Sequence, residues 1–148
     1  MSTLNNSNSS NHTPGVYLSE LEKVPHRIVE RPTYVAAFVG YTQKSEYGGT
    51  SHLNRPLRVS SLGQFVEFFG GPPEYVVGSL MDSYMLYYSV DQFFYNGGFE
   101  CYVVAVGGYA DAIDKGRLSM GLESLVGGPE VSILVVPEAV LFAGSVFF

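Results

Sequence analysis

Thr33-Tyr34-Val35-Ala36-Ala37-Phe38-Val39-Gly40 carries no charge and presents apolar side chains to both sides of an extended chain. A strand of this kind must be covered above and below, as in parallel sheets packed between helices, whereas a half-exposed strand would alternate apolar and polar residues. Two further stretches share the pattern: Glu100-Cys101-Tyr102-Val103-Val104-Ala105-Val106 and Val131-Ser132-Ile133-Leu134-Val135-Val136. Helical signals lie between them. Ser61 and Gln64 match a capping box, and Leu62, Phe65, Val66 and Phe69 form one stripe that Gly70-Gly71-Pro72-Pro73 ends. From Ser79 to Tyr95 no Gly or Pro intervenes, and Leu86, Val90, Phe93 and Phe94 recur at helical spacing before Asn96-Gly97-Gly98, which predicts a long helix. Tyr84, Tyr87 and Tyr88 are expected on its flank, with hydroxyls reaching water or another subunit. Asp114 to Val126, with Leu118, Leu122 and Leu125 on one stripe, predicts another helix, for which Asp111 and Asp114 supply favourable N-terminal charge. Strand, helix, helix, strand, helix, strand defines an α/β fold whose sheet is mainly parallel or mixed and flanked by helices.

Outside this frame the chain is irregular. Residues 41–58 read as a long polar loop containing Gly48-Gly49 and Pro56. Upstream, residues 1–12 are rich in Asn and Ser and read as a disordered polar tail. Residues 13–32 read as an extended arm and linker. Pro14 holds Thr13 extended, Gly15 allows a bend, and Val16, Leu18 and Glu20 alternate with Tyr17, Ser19 and Leu21. The residues themselves leave two possibilities: an edge strand of the chain's own sheet, or a strand donated to a neighbour. Residues 33–148 form the domain proper. Its end, Ala139 to Phe148, stays apolar to the last residue, so more chain or a covering partner is expected there.

At 148 residues, with 46% hydrophobic and 15% charged residues, the chain has material for one ordinary core. A net charge of −6 argues against general nucleic-acid binding, which needs Lys and Arg to neutralise phosphate. The charge is uneven: residues 1–60 hold six Lys/Arg against four Asp/Glu, whereas the rest hold two against ten. Such polarity can draw copies together head to tail. Residues 1–13 lack the charge and the apolar run of a signal peptide, and no stretch is long enough to span a bilayer, so synthesis and assembly in the cytoplasm are expected.

Little catalytic chemistry is legible. The single Cys101 reads as a core thiol, and His12, His26 and His52 are scattered through polar segments without metal-ligand spacing, so neither metal nor cofactor is expected. Gly40 and Gly107-Gly108 stand where a phosphate loop would in a doubly wound fold, yet neither extends to G-x-G-x-x-G or to a Walker sequence with its Lys. A small nucleotide- or ligand-binding α/β domain is therefore the alternative reading and not the favoured one.

Four segments, in order, carry a resemblance: Thr13 to Glu20 (TPGVYLSE), Pro32 to Gly40 (PTYVAAFVG), Ser61 to Gly71 (SLGQFVEFFGG) and Phe93 to Val104 (FFYNGGFECYVV). Together they resemble contractile tail sheath proteins of phages and phage-tail-like injection systems, over roughly residues 13–138. The resemblance implies a structural subunit, not an enzyme. Such subunits polymerise around an inner tube, joined by terminal arms, and contract to drive it through a target envelope. It also implies that Pro14, Gly15, Val16, Tyr17, Leu18, Ser19, Glu20 and Leu21 contact a neighbouring subunit. Implied partners are other copies or paralogues, the inner tube protein, and baseplate and terminator proteins, within a virion or released particle. Relatives of this kind are longer, so the chain is expected to be an incomplete, N-terminal portion of the sheath domain.

Overall fold

A computed structural model describes residues 34–74 and 83–143. The arm, including Pro14 to Leu21, lies outside the described residues. Ala36 to Gly40 of the opening stretch, with Tyr41 and Thr42, form the central strand β1, Ala36–Thr42, and all seven of its residues are buried. Strand β5, Cys101–Gly108, lies parallel beside it, pairing Ala36 with Cys101 and Gly40 with Ala105. On its other side runs β6, Ile133–Val135, also parallel. The fourth strand, β4, Leu57–Val59, pairs antiparallel with β5, giving the order β4-β5-β1-β6. The fold is thus α/β with a mixed sheet, as expected.

The loop reading of residues 41–58 needs correction. It contains β4 and a small hairpin of β2, Glu46–Tyr47, and β3, Thr50–Ser51. Gly48 and Gly49 turn the hairpin with φ of 60° and 75°, the left-handed pair that a two-residue turn requires. β4 is short and polar at its exposed centre, where Arg58 forms an ion pair with Glu100 next to β5. At an edge a strand needs only one apolar face, so it carried too few apolar residues to stand out.

Helices cover both faces. The alternation that puts Ala36 and Phe38 on one face and Val39 and Tyr41 on the other divides the core in two. Helices α1, Leu62–Phe69, and α2, Leu86–Tyr95, close the first face with Phe65, Phe69, Leu86 and Val90. Helix α3, Lys115–Glu123, closes the second with Leu118, while Leu122 and Leu125 pack at its margin. Ser61 caps α1 by accepting the Gln64 N–H at 3.1 Å. The Gln64 side chain accepts from the Ser60 N–H at 2.8 Å, one residue earlier than a capping box prescribes.

Helix α2 begins later than its spacing suggests. Tyr84 and Met85 precede it, and residues 75–82 lie outside the described residues. Tyr84 is not a wet flank. It is 4% exposed, packs against the rings of Tyr41 and Tyr109, and donates its hydroxyl to the Asp111 carbonyl. Burial of an aromatic ring with its polar tip satisfied outweighs helical continuation here. The exit from α2 follows the sequence: Gly97 has φ of 91°, Gly98 N–H donates to the Phe93 carbonyl at 2.8 Å and Gly97 N–H to that of Phe94 at 3.1 Å.

The third strand is shorter than expected and is not covered on both sides. Ile133 and Leu134 are 46% and 52% exposed, and β6 is the last strand of the sheet among the described residues. After it a 3-10 turn, Pro137–Ala139, leads into α4, Val140–Ala143.

Candidate functional site

The carboxyl ends of β1 and β5 gather the polar groups that sequence reading singled out. Neither Gly40 nor the Gly107-Gly108 pair opens a phosphate loop. Gly40 lies inside β1, and Gly107 and Gly108 inside β5, after a register shift between Gly40 and Tyr41. The chain's own carboxylate occupies the anion position: Asp111 Oδ2 accepts the Gly108 N–H at 2.9 Å and pairs with the Arg117 guanidinium at 2.9 Å. The Gly108 amide first, then Arg117, holds the Asp111 carboxyl below the usual carboxylate range. Asp114 caps α3 by accepting the Arg117 N–H at 3.0 Å, so the helix-terminal role expected of it is seen, whereas Asp111 serves the loop before the helix.

Three tyrosines brace this end. Tyr41 accepts the Asp114 N–H at 2.8 Å and donates to the Ala112 carbonyl, and Tyr109 donates to the Gly71 carbonyl at 3.0 Å. Desolvation pushes the Tyr84 and Tyr109 hydroxyls above the ordinary tyrosine range, so they stay protonated donors.

Sequence reading missed Glu138, which is fully buried. Its Oε1 accepts the N–H groups of Met85 and Leu86, each at 3.1 Å, at the N-terminus of α2. Its Oε2 is buried without a hydrogen-bond partner. Gly40 makes the room: a Cβ there would lie 2.5 Å from Oε2. Since Ala36 and Phe38 face α2, alternation turns Gly40 the same way, and its missing side chain leaves space for the carboxylate. The available signal was a carboxylate in the turn that follows an apolar strand, with a glycine two residues beyond Phe38 on the adjacent one.

Beside this end a cavity of about 300 Å³ is lined by Ser83, Tyr84, Ala112, Ile113, Leu141 and Phe142. It is mostly apolar, and the described residues that line it offer no cluster of polar groups for a nucleotide. Among the described residues no group of three or more His, Cys, Asp or Glu is placed to hold a metal, and no helix is long and apolar enough to cross a membrane. Cys101 is fully buried in the first core, and burial pushes its thiol up to about 12, as befits a packing residue.

The described surface also carries apolar residues open to contact. Tyr34, Tyr95 and Phe99 are 70%, 83% and 78% exposed. Tyr34 and Phe99 each stand two residues before the paired Ala36 and Cys101, at the amino end of the sheet. Ile133 and Leu134 on β6, and Val140 and Leu141 on α4, add exposed apolar surface near the chain's last described residues. Comparison with protein-family models finds no match, and comparison with curated proteins finds none.

Proposed function

We propose that this chain is the N-terminal portion of a structural subunit of a contractile sheath, polymerising around an inner tube and contracting to drive it through a target envelope. The observation that carries the reading is the order of four sheath-like blocks along the sequence. Three of them coincide with structural units: the second with β1, the third with α1 and both its caps, the fourth with the exit of α2 and the entry of β5. Exposed apolar side chains on β6, the last strand among the described residues, and exposed rings at the amino end of β1 and β5 support a life among neighbours.

In this reading residues 14–21 tether one subunit to the next, and assembly with copies or paralogues, tube, baseplate and terminator proteins takes place in the cytoplasm before release in a particle. The role is mechanical, with energy stored in a metastable assembly and subunits moving as rigid bodies between tethers. The alternative, a small nucleotide- or ligand-binding α/β domain, is disfavoured because Asp111 already takes the Gly108 amide.

Negative-stain microscopy of the protein expressed from its complete natural gene tests the proposal, with striated tubes or stacked rings as the expected result. A monomer whose melting temperature rises with added nucleotide would sink it. Deleting residues 1–21 should abolish tubes while circular dichroism of the domain is unchanged; tubes that persist would remove the arm from its tethering role.

A further inference from the structure

We propose that Glu138 is a proton-dependent latch, whose protonation state governs how firmly Pro137–Ala143 stays docked across β1 and the N-terminus of α2. The inference is independent of the sheath reading. It starts from an imbalance in how the carboxyl is satisfied. Oε1 accepts two main-chain N–H groups, while Oε2 is sealed against Gly40 without a well-formed hydrogen bond, the Tyr41 amide exerting the weakest of the main-chain pulls on the carboxylate. A full negative charge in such a place lacks the hydration it would have outside, and an unpaired buried charge is far more costly than a neutral carboxyl.

No opposite charge offsets this among the described residues. β1 contributes Gly40 and Tyr41, and the Tyr41 hydroxyl is committed to Ala112 and Asp114. From α2 and the residues before it come Tyr84, Tyr87 and Tyr88, and from the loop after β5 come Tyr109 and Asp111. Glu138 is felt by the Tyr84 and Tyr109 hydroxyls, and Asp111 by that of Tyr84. Arg117 is engaged by Asp111. Helix α4, Val140–Ala143, carries no titratable side chain. Every ionisable group recorded against Glu138 is therefore neutral or acidic.

Desolvation raises the Glu138 carboxyl above its ordinary value, against the pull of the Glu138, Met85, Leu86 and Tyr41 amides. The direction of the switch follows. Below the ordinary carboxylate range the seated and released forms are both protonated, and docking has its full strength. As pH rises the released carboxyl ionises first, so docking weakens until pH passes the higher value of the seated group. The segment is thus held tightly in mild acid and loosened towards neutral and alkaline pH.

Hydrogen exchange of the full chain, corrected for the intrinsic pH dependence of exchange, tests this at the amides of Leu86 and Ala139. Protection should fall as pH rises above the ordinary carboxylate range, tenfold for each unit by which seating raises the pKa, and level off once the seated group has ionised. In Glu138→Gln the amide oxygen can still accept from Met85 and Leu86, and protection should not follow pH. A wild-type protein with constant protection, or a Gln variant that tracks the wild type, overturns the latch. If the variant does not fold, carbon-detected NMR titration of the wild-type Glu138 carboxyl decides. A midpoint above free glutamate supports the latch, and one at or below it refutes it.

Discussion

Gly121 and Gly63 sit in different helices and ask opposite things of the same methyl group. Gly121 is where α3 rests on the sheet: a Cβ there would press into Val106 and lie 2.7 Å from Val39 Cγ1. Both neighbours are buried β-branched side chains with little rotamer freedom, so Gly121→Ala should destabilise by about 1–3 kcal/mol despite its better helix propensity. Gly63 is exposed in the first turn of α1, and its Cβ would meet only Ser61 Oγ at 3.9 Å. There Gly63→Ala should stabilise by up to about 1 kcal/mol. Urea denaturation midpoints moving in opposite directions are the expected result. Neither site could be ranked from sequence, since Gly121 interrupts a helical stripe and looks like a weak point until the distance to the strands is known. Glu138 was hidden for a similar reason: nothing in a Pro-Glu pair after a strand reveals which way the carboxylate turns.

At the scale of elements, legibility followed local determinants. Helix α1 was readable because its start, stripe and stop are all encoded within a dozen residues, and Ser61 does cap it. Removing that cap in Ser61→Ala should cost about 1 kcal/mol, measured as a lowered thermal midpoint with unchanged cooperativity. Replacing both members of the Arg58–Glu100 pair, whose Arg58 side is exposed and whose Glu100 side is mostly covered, is expected to cost less, since ion pairs at the surface contribute little. The central strands were readable because burial on both faces demands an apolar run. β4 was not, because Pro56 and Arg58 suit an edge and disguise it as loop. The N-terminal boundary of α2 was misplaced because tertiary packing of Tyr84, invisible to periodicity, ends the helix pattern before Leu86.

For the whole molecule, the two half-cores lie on opposite faces of the one sheet, so the integrity of the sheet underlies both. Cys101, fully buried on β5 and paired with Ala36, samples that integrity directly. Its reaction with an aromatic disulfide reagent should be negligible in native buffer and should rise along the same denaturant curve as loss of circular dichroism. Labelling that precedes unfolding would mean the sheet opens locally at β4. The proposed sheath role rests on ordered blocks of sequence, not on any single site, and the arm assigned to it lies outside the described residues. The brace of Tyr41, Tyr84 and Tyr109 has an optical consequence. With 11 Tyr and no Trp, the chain's near-ultraviolet signal comes chiefly from phenol rings, and three of those donate hydroxyls to main-chain carbonyls beside Glu138. Loosening of that end therefore registers as a blue shift in native tyrosine absorbance, read from the unlabelled protein.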